Sequence, residues 1–382
     1  MNRLARAALV AASCCCTGCG APGSERERSA EAAASVTGIR FLAAGESGEF
    51  RRADAPRDLS FPEDHGSHPA FRTEWWYFTG NLFGADERHF GFELTFFRVA
   101  LSAAPAARQS GWAANQVWMA HFAVTDTAAR QFLAAERLTR GALGLAGATA
   151  APFRVWVEDW SARGDITGRG DVRLSAATPE AGIDLALEGF DRIVLQGERG
   201  HDRKGPEPGN ASYYYSAPRL AARGTVRIGG GAAQPVAGLA WMDREWGTSA
   251  LSPGIEGWDW FALQLDDGRD LMFYRLRGAD GGTSPFSGGT ITSASGASRR
   301  LAAEDVELEV LDHWESEATG VTYPVAWRMR IPGEGLELEL TPRLRDQEVR
   351  LSVRYWEGAV AVAGRGAGGS VGGHGYLELA GY

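Results

Sequence analysis

The stretch TEWWYFTGNL (73–82) places four large aromatic side chains in a row, at Trp75, Trp76, Tyr77 and Phe78. Side chains alternate between the two faces of a β-strand, so these four cannot share one face. Each of them buries roughly 150–250 Å² when it is covered. The stretch therefore predicts a strand that is covered on both faces, or a strand with one face lining a cavity.

A second stretch, GWDWFALQL (257–265), repeats this pattern 183 residues further along the chain. The matching pairs are Trp75 and Trp258, Tyr77 and Trp260, Phe78 and Phe261, and Leu82 and Leu265. Each copy is followed by a polar turn and another aromatic segment, GADERHFGFELTFFR (84–98) and DDGRDLMFYRLR (266–277). Internal repetition of this kind predicts two structurally related halves.

The composition of the 382 residues favours an all-β protein of one or two domains. The 50 Gly residues suit many tight turns, and a hydrophobic content of 44% with 13 Trp supplies a sizeable core. The net charge of −9 and the lack of a dense basic run argue against nucleic-acid binding. No apolar run long enough to form a membrane-spanning helix follows the first 20 residues.

The segment 1–19 predicts a lipoprotein signal peptide, since it has a basic start at Arg3 and Arg6 and a short apolar core. All four cysteines lie within it, so they cannot form a disulfide framework for the domains. The order CTGC (16–19) predicts lipidation of Cys19, with Cys14 as a second candidate and an ordinary secretory signal peptide as the alternative.

This N-terminus predicts a protein anchored in the bacterial cell envelope, on its periplasmic face. Acyl chains add roughly 0.8 kcal/mol of membrane affinity per buried CH₂, so an acylated Cys19 would hold the protein on a membrane. Gly20 and Ala21 lack an Asp retention signal, which favours the outer membrane if the source is Gram-negative. Residues 20–38 are small, polar and aperiodic, and predict a flexible tether.

Beyond the tether, short alternating or aromatic runs predict strands at 117–124, 153–160, 182–187, 225–228 and 336–340. Residues 128–138 form the best short helix candidate. The polar, Gly- and Pro-rich segment 197–210 predicts a boundary between two domains, 39–205 and 206–382, and 228–236 predicts a hairpin tip inside the second. Periodicity alone leaves a sandwich, a jelly roll and a barrel equally open.

Seven segments resemble, in the same order, those of the AttH/CrtC-like family, which is lipocalin-like and related to carotenoid 1,2-hydratases and secreted hydrolases. They are DHGSHPAFRTEWWYFTGNL (64–82), HFAVTD (121–126), QGERGHDRKG (196–205), ASYYYSAPRL (211–220), GLAWMDREWG (238–247), YWEGAVAVAG (355–364) and GYLELAGY (375–382). The resemblance spans the mature chain and implies two tandem lipocalin-like β-barrels. Barrels of about eight strands are just wide enough to hold a small ligand.

The resemblance also implies two kinds of activity. The AttH branch is linked with ABC transporter components, so an ABC-type permease is an expected partner. The hydratase branch implies an acid that protonates an isolated isoprenoid double bond while aromatic faces shelter the carbocation. That branch has a His where this chain has Arg244, and a Tyr/Asp pair where this chain offers Tyr274 without an Asp.

Asp243 and Glu245 are the first candidates for chemistry. They lie two residues apart, so on a strand they share one face with Trp241, while Arg244 points the other way. Burial and like-charge repulsion raise one pKa of such a pair, as general acid–base catalysis requires. The alternative is a structural network in which an arginine such as Arg244 neutralises the carboxylates.

Aromatic side chains dominate the predicted binding site, as is typical of a cavity for an apolar molecule. The predicted ligand-binding residues are Glu74, Trp76, His121, Tyr215, Trp241, Trp246, Trp258 and Trp260, beside a catalytic set of Asp243, Glu245 and Tyr274. The tyrosines at 213–215, just after Lys204, predict either a pocket edge for a polar head group or an ordinary strand.

A metal site is not predicted, although His65, His68 and His121 invite the idea. Zinc would need a third protein ligand beside the pair in DHGSH, and no Cys remains in the domains. His68 precedes Pro69, which favours an extended loop there. No cofactor is predicted, and no GxSxG elbow, P-loop or dinucleotide fingerprint is present.

Three hypotheses follow from the sequence. The first is an envelope-anchored lipoprotein that binds a lipid or isoprenoid and assists an ABC-type export system. The second is an acid-catalysed hydratase acting on an isoprenoid or carotenoid double bond, with Asp243 or Glu245 as the acid and with Trp246 and Tyr274 as the aromatic box. The third is carbohydrate binding by paired tryptophans.

Overall fold

A computed structural model of the protein describes residues 49–104, 110–167, 170–249 and 251–382. The predicted signal peptide, Cys19 and the tether lie outside these residues. Strands dominate the described part, which confirms the all-β prediction. Its helical structure is limited to four 3-10 turns, at Glu63–His65, Ala85–Glu87, Ala303–Asp305 and Pro332–Glu334.

The described residues form 23 strands, numbered in chain order. The first 13 are β1 (Thr73–Phe83), β2 (His89–Ala100), β3 (Gln116–Asp126), β4 (Gln131–Arg140), β5 (Ala146–Thr149), β6 (Phe153–Val157), β7 (Trp160–Gly164), β8 (Asp171–Ala177), β9 (Ala181–Glu188), β10 (Val194–Leu195), β11 (His201–Arg203), β12 (Ala211–Ile228) and β13 (Gln234–Gly247). The other ten are β14 (Ile255–Leu265), β15 (Asp270–Gly278), β16 (Gly288–Thr292), β17 (Ser298–Ala302), β18 (Glu307–Glu315), β19 (Thr322–Ile331), β20 (Leu336–Pro342), β21 (Glu348–Arg350), β22 (Arg354–Gly366) and β23 (Gly369–Ala380).

These strands form two antiparallel, barrel-like sheets in tandem, which confirms the predicted architecture. The first sheet has 13 strands in the order β4-β3-β2-β1-β13-β12-β9-β8-β7-β6-β5, with β10 and β11 paired to β12. The second has ten strands in the order β17-β16-β15-β14-β23-β22-β20-β19-β18, with β21 paired to β22. In each sheet the first strand pairs with the second strand and with the last, so β1 and β14 are equivalent. The repeat at 183 residues therefore marks the opening strands of two related barrels.

The boundary between the barrels falls between β13 and β14, instead of at residues 205 and 206. Strands β12 and β13 belong to the first sheet because their backbones pair with β9 and β1. The polar segment 197–210 connects strands of that same sheet and contains the short strand β11, which pairs with β12. The segment 228–236 does form a hairpin tip, but in the first barrel.

The helix expected at 128–138 is wrong, since that region forms β4. Its backbone pairs along its whole length with β3, from Val117 opposite Arg140 to Asp126 opposite Gln131. This long-range ladder outweighs the modest helix preference of Ala, Leu and Glu. The predicted strand at 153–160 is two strands, β6 and β7, separated by a turn in which Glu158 has a φ of 56°.

The two faces of each opening strand have different surroundings. Trp76 and Phe78 pack into the apolar core that fills the first barrel. Tyr77 and the partly buried Trp75 point the other way, toward the second barrel, and contact a separate cluster that includes Trp260. The inner face of this strand is thus covered by the barrel core, and its outer face lies at the interface, where Trp75 and Tyr77 line a cavity, as the second predicted alternative has it.

The outer faces of β1–β3 pack against β22 and β23, so the barrels share a tight interface. At Gly91 an added Cβ would lie 2.7 Å from the Cβ of Ala359, which leaves room only for glycine. Asn81 Nδ2 donates to the Gly375 carbonyl at 3.1 Å, and Thr125 Oγ1 donates to Gln347 Oε1 at 2.7 Å.

Within the described ranges, no helix is long and apolar enough to cross a membrane.

Candidate active site between the two barrels

A partly enclosed pocket of about 160 Å³ lies between the two barrels, with walls contributed by both. Its aromatic lining consists of Trp75, Tyr77, Phe97, Tyr214, Trp258, Trp260, Tyr274 and Tyr355. An apolar cavity of about 150 Å³ is large enough to bind benzene, so this pocket accommodates one ring or a short branched chain. The expected ligand cavity inside a barrel is not where the pocket lies, because side chains fill both barrel interiors.

Strand register places four acidic or phenolic groups on the facing walls. Asp243 lies directly opposite Tyr77 in the β1–β13 ladder of the first barrel. Glu378 lies directly opposite Glu357 in the β22–β23 ladder of the second barrel. Since side chains alternate along each strand, all four point out of their own barrel and into the interface.

Asp243 is held by three hydrogen-bond donors. Trp241 Nε1 donates to Oδ1 at 2.6 Å, Ser216 Oγ donates to Oδ1 at 2.5 Å, and the Tyr214 hydroxyl donates to Oδ2. Burial raises the pKa of Asp243 to about 6, against the opposing effect of these donors. This carboxyl is therefore mostly ionised at neutral pH and close to its titration point.

Glu245 shares the wall with Asp243 and is paired with a cation. It accepts a hydrogen bond from Ser212, and its Oε1 lies 3.6 Å from Lys204 Nζ. Burial raises the pKa of Glu245 and the Lys204 charge opposes that rise. Lys204 also pairs with Asp202 at 2.6 Å and lies 3.8 Å from the centre of the Tyr274 ring. This corner is the polar end of the pocket.

Glu378 faces them from the second barrel. Trp258 Nε1 donates to its Oε1 at 3.0 Å, and this is the one hydrogen bond to its carboxyl within the described residues. Burial raises the pKa of Glu378 to about 8, with further increases from the charges of Glu245 and Asp243. Glu378 is therefore mostly protonated at neutral pH, when Asp243 is mostly ionised. Carboxyl groups whose pKa values are pushed apart in this way are suited to separate acid and base roles.

Part of the predicted set meets in this pocket. Asp243, Glu245, Tyr274, Trp258 and Trp260 all line it. Trp241 contacts it indirectly, through its hydrogen bond to Asp243. His121 lies one layer behind, where its Nδ1 is 2.6 Å from the Tyr355 hydroxyl and its Nε2 is 3.0 Å from Glu136.

The other four predicted ligand-binding residues lie outside the pocket, on the opposite faces of their strands. Glu74 forms fully buried ion pairs with Arg98 and Arg244. Trp76 packs in the first barrel core, with the Arg244 guanidinium 3.9 Å from its ring centre. Trp246 stacks on His68 with ring centres 4.0 Å apart, and the Tyr215 hydroxyl lies 2.6 Å from Nδ1 of His65.

The structural network suggested for Asp243 and Glu245 exists, but it is built around Glu74. Burial disfavours the charge of Glu74, yet Arg98 and Arg244 outweigh this effect and hold its pKa well below the usual range. Arg244 occupies the position where the hydratase branch has a His, and it points away from the pocket into this network. The difference at that position therefore affects the packing of the first barrel more directly than the pocket.

Sequence reasoning did not single out Glu378 or Glu357. Both sit in segments with period-2 alternation, where Leu377 and Leu379 flank Glu378. That pattern shows which face is polar, but a polar face on a strand normally points to solvent. The signal available in the sequence was that both lie in segments that carry the family resemblance, YWEGAVAVAG (355–364) and GYLELAGY (375–382).

No group of three or more His, Cys, Asp or Glu side chains in the described part of the chain has a metal-binding arrangement. His65 and His68 instead bind within the protein, since His68 Nε2 is 2.9 Å from Asp64 and His68 Nδ1 is 3.3 Å from Glu74. The pocket lining supplies carboxyl, hydroxyl, ammonium and aromatic groups.

Comparison with known proteins agrees with this architecture. The sequence model of the AttH-like family matches residues 52–382. The chain belongs to the AttH-like family. A crystal structure from Nitrosomonas europaea, assigned to AttH, is 35% identical with a TM-score of 0.75, over 87% of this chain and 100% of that one.

Two curated fungal relatives are enzymes by name. Kievitone hydratase of Fusarium solani is 24% identical over 52% of this chain and 56% of its own length. Dehydratase AsqC of Emericella nidulans is 23% identical over 54% of this chain and 60% of its own. The chain thus matches a little over half the length of these relatives.

Proposed function

We propose that this AttH-like protein is a hydro-lyase that adds water to, or removes water from, a carbon–carbon double bond of a small apolar molecule held between the barrels. The observation that supports this most is the pair of opposed carboxyl groups, Asp243 and Glu378, whose pKa values are about 6 and about 8 in one aromatic pocket. The names of the two fungal relatives, a hydratase and a dehydratase, point the same way.

In the hydration direction, Glu378 is the general acid and Asp243 is the general base. The Glu378 carboxyl gives its proton to one alkene carbon, which leaves a carbocation at the more substituted carbon. Asp243 takes a proton from a water molecule as the water oxygen bonds to that cation. The product is an alcohol, Glu378 is left ionised, and Asp243 is left protonated. Dehydration follows the same steps in reverse.

Aromatic rings stabilise the cation that forms between these groups. A cation over a desolvated Trp face gains about 2 kcal/mol or more. Trp75, Trp258, Trp260 and Tyr274 supply such faces in the pocket. An apolar pocket also excludes other water molecules, so the cation meets the one that Asp243 activates.

The corner formed by Lys204, Glu245 and Tyr274 orients the polar end of the substrate. An ammonium beside a carboxylate recognises a hydroxyl or carbonyl oxygen by donating and accepting hydrogen bonds. The expected substrate is therefore a branched alkene that also has one oxygen function, such as the prenyl end of a larger terpenoid.

The test is incorporation of heavy oxygen from water. Residues 49–382 are incubated in H₂¹⁸O with geraniol, citronellol and 6-methylhept-5-en-2-one, and the products are analysed by mass spectrometry. An alcohol that contains one ¹⁸O at the former alkene is the expected result. A protein that hydrates none of the three and dehydrates none of their hydration products would overturn the proposal.

Substitution of the two carboxyls separates chemistry from folding. Glu378→Gln and Asp243→Asn should each reduce kcat by about 10²–10⁴, which is the usual contribution of a general acid or base. The matched control is Glu339→Gln, an exposed strand residue of the second barrel, which should leave kcat unchanged. Full activity in both pocket variants would exclude this acid–base assignment.

Envelope anchoring through Cys19 and a link to an ABC-type permease belong to the same proposal. The support for both is the N-terminal sequence and the resemblance that it accompanies. Expressed in a bacterial host, the full chain should fractionate with membranes, and Cys19→Ala should move it to the soluble fraction. A soluble wild-type protein without a mass increase at Cys19 would contradict the anchor, and failure to co-purify with a permease would count against that partner.

A further inference from the structure

Each turnover of the proposed reaction leaves the two carboxyl groups in the wrong state for the next one. After hydration, Glu378 has lost a proton and Asp243 has gained one, on opposite walls of the pocket. A bound apolar molecule separates these walls and excludes water. A route that returns one proton from the first barrel to the second would reset the pair without exchange with solvent.

Tyr77 and Glu357 form a direct connection between the two walls. The Tyr77 hydroxyl, from β1 of the first barrel, donates to Oε1 of Glu357, from β22 of the second barrel. Tyr77 is the cross-strand neighbour of Asp243, and Glu357 is the cross-strand neighbour of Glu378. The four groups therefore follow one another in the order base, phenol, carboxyl, acid.

The surroundings of Glu357 favour a proton on it. Its side chain is fully buried, and Oε2 has no hydrogen-bond partner within the described residues. Burial raises its pKa well above the usual range, and the charges of Glu378 and Glu93 add to this effect. Two ionised carboxylates directly opposite each other on neighbouring strands repel, so at least one of Glu357 and Glu378 holds a proton.

We propose that Tyr77 and Glu357 are a proton relay that returns the proton from Asp243 to Glu378 after each turnover. This inference rests on the proposed function of the pocket. In the relay, Glu357 gives the proton on its Oε2 to Glu378. Its Oε1 takes the Tyr77 proton, and Tyr77 takes the proton of Asp243. One proton leaves Asp243 and one arrives at Glu378, and rotation of the Glu357 carboxyl and the Tyr77 hydroxyl then restores their starting arrangement.

Two of the three transfers span cross-strand neighbours. The Cβ atoms of such pairs are about 4.5–5.5 Å apart, but the proton-carrying oxygens lie farther out on the side chains. These two transfers therefore require side-chain rotation or a bridging water between the oxygens. The third transfer uses the existing hydrogen bond between Tyr77 and Glu357. Tyr77 and Glu357 act through Asp243 and Glu378, so they are relay residues and take no part in the attack on the alkene.

The experiment compares one turnover with many, on the panel alkene that the wild-type protein hydrates. Tyr77→Phe keeps the ring and removes the hydroxyl, and Glu357→Gln keeps the shape and removes the transferable proton. With enzyme in excess, both variants should convert the alkene at a rate within about threefold of wild type. With alkene in excess, both should release one equivalent of product rapidly and then slow at least tenfold.

Chemical rescue separates a relay from a structural role. A small proton carrier such as imidazole, at high concentration, should restore the slow phase of both variants toward the wild-type rate. The matched control is Tyr376→Phe, since Tyr376 is buried in the same interface and its hydroxyl has no partner within the described residues. That control should show no burst and no response to imidazole.

The outcomes distinguish the relay from the reaction itself. Variants that slow single and multiple turnovers equally, without rescue, would overturn the relay and leave Tyr77 as a packing residue. Variants that match wild type in both regimes would overturn it as well. If the wild-type protein neither hydrates a panel alkene nor dehydrates its hydration product, or if Glu378→Gln and Asp243→Asn remain fully active, the proposed function fails instead.

Discussion

The interior of each barrel and the interface between the barrels are built from opposite faces of the same strands, yet they differ in kind. Along β1, Trp76 and Phe78 enter an apolar core, whereas Tyr77 enters a region that contains Asp243, Glu357 and other ionisable groups. The inner faces are filled and supply stability. The outer faces would ordinarily be solvated, and covering them with a second barrel turns their polar groups into buried ones with shifted pKa values. Pairing of the two barrels therefore buries the polar groups of these outer faces, in addition to the Glu74 ion network inside the first barrel.

The largest expected effect is on stability, at the ion network on the inner side. Glu74→Ala should destabilise the protein by about 3–5 kcal/mol, because it leaves two fully buried arginines, Arg98 and Arg244, without their carboxylate. Urea unfolding followed by Trp fluorescence measures the change. The pocket should keep its chemistry in whatever fraction remains folded. A loss below about 1 kcal/mol would mean that water reaches these arginines.

Adjacent tryptophans on β1 test whether the two faces are separable. Trp76→Ala removes a fully buried core side chain and should cost about 3–5 kcal/mol of stability, with kcat nearly unchanged. Trp75→Ala removes a pocket ring and should cost less than about 1.5 kcal/mol of stability, since Trp75 is only partly buried.

The effect on kcat should be larger for Trp75→Ala than for Trp76→Ala. Loss of one aromatic face over the cation, worth about 1–2 kcal/mol, should lower kcat of Trp75→Ala roughly tenfold. Measuring the denaturation midpoint and kcat of both variants tests whether the core face and the pocket face are separable. Equal effects of the two substitutions on both quantities would erase the distinction between core face and pocket face.

The fold could be predicted from the sequence to the extent that it depends on local pattern. Period-2 alternation placed Asp243 and Glu245 on one face, and the 183-residue repeat identified β1 and β14 as equivalent. The region 128–138 could not be predicted, because its composition permits a helix and only pairing with β3 makes it a strand. The predicted position of the domain boundary was wrong for a similar reason. A Gly- and Pro-rich segment indicates a loop, but it does not indicate which sheet the next strand joins.

The aromatic residues of the pocket and the acids of β13 were predictable, whereas the acids of the second barrel were not. The aromatic and acidic residues of β13 and β14 are conspicuous in sequence, and four of them, Asp243, Glu245, Trp258 and Trp260, line the pocket. Trp246 is equally conspicuous but packs on His68 at the far side, because a residue's face depends on which strands cover it. Glu378 and Glu357 resemble ordinary solvent-facing residues of alternating strands. Only the packing of one sheet on the other makes them buried neighbours of Tyr77 and Asp243.

The pH dependence of activity tests the electrostatic side of the comparison. Asp243 must be ionised, so activity should rise through its pKa of about 6, and Glu378 must be protonated, so activity should fall through about 8. The profile of kcat/KM should therefore be bell-shaped, with roughly tenfold loss one pH unit beyond each limb's midpoint. Initial rates between pH 5 and pH 9 measure it. A profile that rises steadily to pH 9 would remove Glu378 as the acid.

The smallest expected effect, and the one most specific to the interface, concerns Glu93. It is fully buried, neither of its oxygens has a hydrogen bond of normal geometry within the described residues, and burial raises its pKa to about 8. Because this pKa is raised above the unfolded value near 4.5, the folded state binds a proton that the unfolded state releases. Stability should therefore be greatest below about pH 4.5 for this group and should decline as pH rises to about 8.

Glu93→Gln removes that titration and keeps the shape of the side chain. Between pH 5 and pH 8 the variant should lose less stability than wild type, by roughly 1–3 kcal/mol, measured as urea midpoints at each pH. The control is Glu339→Gln on the solvent face of β20, where the exposed carboxyl pairs with Arg328 and such surface pairs contribute little to stability. Identical slopes for Glu93→Gln and wild type would mean that water solvates Glu93. Water would then penetrate the interface between the two barrels. In that case the raised pKa values of Asp243 and Glu378 could not be attributed to a generally dry interface and would have to result from the immediate surroundings of these two residues.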